Sequence, residues 1–220
     1  MAYRKYDTCF FERYAMLQLQ QILGHKFDDL VNCDRPDLQT PGTHTLGIEV
    51  TRAMEGGRQA ALKMLKDISG ISAVEGESQS DIEIMQRSGY GYGLHSGSFT
   101  GGIELDYWMG ARPMKEIIAN KVSKVSSGFY GDFREFGLFV FSNEPLSVFN
   151  AYSAVQYTIE LQRTLDVKYA RLYISAVTDF YACNLEDGIS NEFRVSPYLV
   201  DESQRRSFFL SSLDYRCADH

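Results

Sequence analysis

The 220-residue chain has no apolar run approaching the roughly 18 residues of a membrane span. No basic leader followed by an apolar stretch opens it, so the expectation is an unsecreted, cytoplasmic protein with no membrane partner. Cysteine is scarce: Cys9, Cys33, Cys183 and Cys217 are widely scattered and form no C-x-x-C pair, which argues against a disulfide framework and a structural zinc site. His25, His44, His95 and His220 stand at no metal-ligand spacing. The chain also lacks a dinucleotide-binding G-x-G-x-x-G turn, a P-loop and a G-x-S-x-G nucleophile elbow, so nothing points to a hydrolase of the triad kind. Basic residues are outnumbered, 22 Lys and Arg against 29 Asp and Glu. The resulting net charge of -7 provides no global attraction for phosphate, and any nucleic-acid surface has to be local.

What is present is ordinary globular composition, 44% hydrophobic and 23% charged, with no shift along the chain to mark a boundary. One domain spanning 1–220 is expected. Between Tyr6 and Leu23 apolar residues recur at helical spacing, with Met16, Leu19 and Leu23 on one stripe and Phe11, Tyr14 and Ile22 beside it. Glu12 lies one turn before Met16 on that stripe, which turns a carboxylate toward the buried side. Pro36 to Leu38 should be extended, Pro41-Gly42 reads as a turn, and Leu46 to Thr51 as a strand, making a β-hairpin. Alternation along that strand sets Leu46, Ile48 and Val50 against Glu49 and Thr51.

A helix is expected from about Gly57 to Ile68, carrying Gln59, Lys63 and Lys66 on a polar stripe. The Gly/Tyr-rich stretch near 70–110 reads as an insertion of loops and short strands. Regular pattern returns with a helix from about Pro113 to Ser126, its core stripe being Ile118, Val122 and Val125 and its lysines Lys115, Lys121 and Lys124 lying off it. Gly137 to Ser142 is a buried strand, and a long helix follows with Val148, Tyr152, Val155 and Ile159 on one face. Tyr169 to Ser175 and Phe180 to Leu185 form two further strands around Val177-Thr178-Asp179; the tail after Gly188 is weakly patterned until Phe208-Phe209-Leu210. Helices alternating with buried strands give an α/β class.

Glu12 on the first helix, Pro36-Asp37 at one strand and Glu49-Val50-Thr51 on the next stand in the order helix-E, PD, (D/E)-x-K, and in this the chain resembles the PD-(D/E)XK nuclease superfamily. The resemblance implies a restriction-endonuclease-like sandwich, a central mixed sheet flanked by helices, and a metal-dependent phosphodiesterase acting on DNA or RNA. It implies that Asp37 and Glu49 hold Mg²⁺ or Mn²⁺ with the Val50 carbonyl, and that Glu12 assists, Asp34 being a nearby substitute. Hard cations of this kind take carboxylate oxygens and neutralise a phosphate under attack.

The motif's lysine position is occupied by Thr51, which carries no charge to activate water. Some members of the superfamily supply the lysine from a neighbouring helix, and Lys63 or Lys66 could reach back from the helix after the strand; alternation points Arg52 away from Glu49. The competing expectation is a catalytically inactive nuclease-like domain that serves as a binding or assembly module, which both Thr51 and the acidic charge favour.

Overall fold

The computed structural model describes residues 9–42, 44–53, 94–95, 98–99, 114–142 and 146–213. The helix expected at Gly57–Ile68, with Lys63 and Lys66, lies outside them, as does nearly all of the Gly/Tyr-rich stretch. Of that stretch only a two-stranded hairpin is described, β4 (Leu94–His95) paired with β5 (Ser98–Phe99).

Seven strands form one mixed sheet in the order β1-β2-β3-β6-β7-β8-β9, with helices on both faces, so the α/β class holds. On one side β1 (Val31–Asn32), β2 (Leu38–Gln39) and β3 (Leu46–Ala53) run as an antiparallel meander. At the centre β3, β6 (Glu135–Ser142) and β7 (Tyr169–Ala176) are mutually parallel. The far side is closed antiparallel by β8 (Asp179–Asn184) and β9 (Val195–Leu199).

Central parallel strands are covered on both faces and therefore read as continuous apolar runs. β6 follows the rule: Phe139 and Phe141 enter one core while Leu138 and Val140 enter the other. The first core lies under α1 (Cys9–Gln18) and α4 (Glu202–Leu213), where Phe11, Tyr14, Phe208 and Phe209 pack on Ile48, Val50 and Tyr173. The second lies under α2 (Met114–Ser126) and α3 (Val148–Leu161), where Ile118, Val122, Val125 and Val155 meet Leu172 and Ile174.

The expected stripe of α2 is the observed one, and the first helix is extended past Gln18 by a π turn to Leu23 before Gly24 stops it at φ 77. The buried face of α3 is rotated from expectation: Ala151, Ala154, Val155 and Thr158 are inside, while Tyr152 and Ile159 are only half-buried. Small residues let this helix lie close to the sheet. The weakly patterned tail holds β9 and α4, which the sequence did not announce. α4 is anchored by buried Arg13, whose Nε donates to the Ser212 carbonyl at 2.8 Å near the helix end. Among the described residues no helix is long and apolar enough to cross a membrane.

The loop that carries Pro36 packs directly onto the backbone of β3. A Cβ on Gly47 would stand 2.6 Å from Pro36 Cγ and 3.1 Å from Phe133 Cγ, so only glycine lets this loop close over the strand. Gly47→Val is therefore expected to lower stability by about 1–3 kcal/mol through overpacking, read from the denaturant midpoint; an unchanged midpoint would show that the loop is not held there.

Candidate functional site

β3 is the strand on which the site is built. All eight of its residues are buried, and β6 runs alongside its full length. β2 covers the opposite edge only at Leu38↔Ile48 and Gln39↔Gly47. Val50, two residues beyond Ile48 on the same edge, consequently directs its N–H past the end of β2, where an unmet buried donor would be costly. The Asp37 carboxylate meets it: Oδ2 accepts from Val50 N at 2.7 Å. Asp37 is thus fixed to the strand that carries Glu49. The Val50 carbonyl, which a ladder residue points to the same side as its N–H, looks onto the same gap.

The Asp37 loop is built to hold this position. Cys33 N donates to the Asp37 carbonyl at 2.8 Å, and Gln39 Nε2 donates to the Pro36 carbonyl at 2.9 Å. Arg35 takes a left-handed backbone, φ 61, an uncommon conformation for a residue with a side chain. Asp34, the alternative acid, is exposed and pairs with Arg35 at 3.5 Å, so it is turned away from the site.

Glu49 points from the other face of β3, toward α2, and is 7% exposed. Its partner is Lys121, whose amine donates to Glu49 Oε1 in a very short ion pair with both side chains largely covered. Thr51, at the motif's lysine position, is buried one strand step beyond and brings no charge. Lys63 and Lys66 are not among the described residues; the cation that reaches Glu49 comes from α2. Arg52 is directed to the opposite face, as alternation requires, and lies over the Phe11 ring at 4.6 Å.

Helical geometry carried a weak sign of Lys121. At about 100° per residue it sits about 60° from Ile118, on the border of the core stripe rather than opposite it. Lys115 borders the stripe on the other side and instead lies over the Tyr157 ring at 5.5 Å. The pattern makes the two lysines equivalent, and only the position of β3 beneath α2 separates them.

Glu12 projects from α1 and accepts from Asn32 Nδ2 at 2.7 Å, which ties the helix to β1. It is half-buried and near enough to act on Asp37. Burial, then the negative charges of Glu49 and Glu12, push the Asp37 carboxyl up to about 8, against the pull of the Val50 N–H and Lys121. Three acids from α1, the β2 loop and β3 therefore share one field, into which the Lys121 ammonium is paired through Glu49.

Two tyrosines that the sequence did not single out complete the site. Tyr169 begins β7, its backbone held by both ends of the Gln162 amide at 2.8 and 3.0 Å, and its hydroxyl donates to the Lys121 carbonyl at 3.3 Å. Tyr130 follows α2 and is 3% exposed, and its hydroxyl makes no hydrogen bond of good geometry. It lies close enough to Glu49 and Tyr169 that burial and the Glu49 charge hold it well above the usual phenol range. A buried hydroxyl set beside Glu49 and Tyr169 without a well-formed hydrogen bond to either leaves hydrogen-bonding capacity for a bound group.

The acids available as ligands are Asp37 and Glu49. Among the described residues no cluster of three His, Cys, Asp or Glu forms a metal cage. Mg²⁺ requires less than that, one or two carboxylates with waters and substrate oxygens filling the remainder, and the raised proton affinity of Asp37 marks negative charge that a cation would offset. No family model, curated protein or solved structure matches the chain.

The Asp37 field has a consequence for stability in the metal-free protein. Its carboxyl titrates at an ordinary 3.8 when unfolded and at about 8 when folded, so the native chain holds the extra proton between those values. The stability it contributes is full below pH 4 and lost as pH rises through 8. Asp37→Asn should therefore flatten the fall of melting temperature between pH 5 and pH 8.5 seen for the wild type in chelator; parallel profiles for the two would show that Asp37 does not carry that dependence.

Proposed function

We propose that the chain is a metal-dependent phosphodiesterase acting on DNA or RNA, a restriction-endonuclease-like member of the PD-(D/E)XK superfamily in which Lys121 replaces the motif lysine. The observation that carries this is the meeting of Asp37, Glu49 and Lys121 at β3. Two acids separated by a dozen residues of sequence and a lysine 72 residues beyond Glu49 converge on two consecutive residues of one strand. The order of the acids, the mixed sheet and the flanking helices support the same reading.

Asp37, Glu49 and the Val50 carbonyl would hold Mg²⁺ or Mn²⁺, which supplies neutralisation of phosphate charge and a water of lowered pKa. The rest falls to the chain's own groups. Glu49 keeps the Lys121 amine in place, and the amine orients the attacking water by donating to it. The Tyr169 hydroxyl, bonded to the Lys121 carbonyl, fixes the turn of α2 from which that amine projects. Tyr130 offers its hydroxyl to a phosphate oxygen. Glu12 is a positioning residue, holding α1 and Asn32 against the acids.

One observation favours the second reading, a catalytically inactive nuclease-like module for binding or assembly. Glu49 Oε1 is already satisfied by Lys121 and Asp37 Oδ2 by Val50 N, so the acids are accommodated without a cation.

Calorimetric titration with Mg²⁺ and Mn²⁺ separates the two. Wild type is expected to bind one ion and to cleave mixed DNA and RNA, with binding lost in Glu49→Gln and in Asp37→Asn. Absence of binding by wild type would select the inactive module. The lysine assignment has its own test: Lys121→Met should lower the cleavage rate by at least about 100-fold, the scale of a lost proton-transfer or water-orienting group, while Lys63→Ala and Lys66→Ala stay within a few-fold. The reverse ranking would return the role to the helix expected after β3.

A further inference from the structure

Phe129, in the turn that follows α2, is 47% exposed although it adjoins the buried Tyr130, with the two rings edge-to-face at 5.3 Å. Two cations lie over its ring: the Arg35 guanidinium at 5.4 Å and the Lys124 amine at 5.1 Å. They come from the two segments that build the site. Arg35 precedes Pro36-Asp37, and Lys124 lies one turn beyond Lys121 on α2. The platform is therefore linked along the chain to the candidate site on both sides, and it places two positive charges together on a chain of net charge -7.

We propose that Phe129 is a stacking platform for an unpaired nucleobase, with Arg35 and Lys124 gripping the phosphates beside it, so that the substrate is a single strand or a single-stranded end. The inference rests on the phosphodiesterase reading and adds the substrate class. An exposed aromatic ring offers every base a face, but a base inside a duplex is already stacked on its neighbours and cannot reach it. The cations make the ring receptive in two ways. In the free protein they lie over its π-face, an exposed cation–π arrangement of modest strength. When a base takes that face, both can turn to the strand's phosphates, an exchange that releases counterions.

Among the described residues nothing holds the two cations rigidly. Arg35 pairs with Asp34 at 3.5 Å with both side chains open to water, a contact that phosphate can displace. Lys124 is exposed on the outer side of α2. The backbone of Arg35, in contrast, is set at φ 61 by the turn that delivers Asp37, so the guanidinium and the catalytic acid are presented together.

The test is fluorescence anisotropy with a labelled 12-nucleotide oligothymidylate, the same strand carrying abasic sites, and a duplex of equal length, in Ca²⁺ to suppress turnover. Wild type should bind the single strand more tightly than the duplex. Phe129→Ala should weaken single-strand binding about 10-fold, the size of one lost base stack, with Phe129→Trp restoring it and the abasic strand insensitive to the change. Lys124→Ala and Arg35→Ala should each reduce the slope of log affinity against log salt by about 0.7. Should Phe129→Ala fold poorly, the abasic and intact strands compared on wild type carry the same information. Equal affinity for those two strands, or tighter binding and cleavage of duplex, overturns the stacking proposal while leaving the metal site standing. Failure of wild type to bind Mg²⁺ or any nucleic acid overturns both.

Discussion

A carboxylate in the middle of a strand whose neighbours are all buried cannot stand alone, because removing an unpaired charge from water costs several kcal/mol. In this chain Glu49 occupies that place, and the Lys121 ammonium meets it from α2. The pairing constrains much of the remaining structure. It sets α2 across β3 with its lysine border facing inward, while β6 lies parallel beside β3 and the other edge of β3 carries the short strand β2 and the Asp37 loop. Breaking it would leave one buried charge uncompensated, whichever partner was removed.

The second constraint is the mismatch in length between β2 and β3. β2 stops after two residues while β3 continues for eight, so the Val50 N–H is left at an unfinished edge. Asp37 completes that edge with a side chain instead of a backbone, and the completion brings a second acid within the field of Glu49. Glu12 adds a third. The proton affinity of Asp37 rises first because the group is buried and then because Glu49 and Glu12 stand near it, and the Lys121 ammonium offsets this only in part. Such a gathering is weak evidence for stability and better evidence for a site, since apolar residues of similar size would fill the same space without the electrostatic cost.

The platform around Phe129 follows from the same two segments. The turn after α2 and the loop before β2 meet where the Arg35 guanidinium lies over the Phe129 ring. Arg35 and Lys124 belong to the segments that also carry Asp37 and Lys121, and both reach the Phe129 ring.

Much of this fold was legible in the chain. Apolar spacing marked α1 and α2, with Ile118, Val122 and Val125 inward, and the continuous run Leu138 to Phe141 identified a central strand. Alternation correctly opposed Glu49 to Arg52. The face of α3 was misjudged because its closest approach is made by alanines, which carry little weight in an apolar pattern; β9 was missed because it is an edge strand that contains Pro197 and buries only Val195, and α4 because polar residues dominate its exposed side. At the site, Glu12, Asp37 and Glu49 could be named from order alone, since each belongs to an element that the local sequence dictates. Lys121, Tyr130 and Tyr169 could not. Their roles depend on where α2 settles on the sheet and on how far β7 slides against β6, and both are set by packing between segments far apart in sequence. Local sequence determines which side chains an element can offer; which of them meet is decided only when the faces close, and for a buried carboxylate that choice is made by whichever cation arrives within reach.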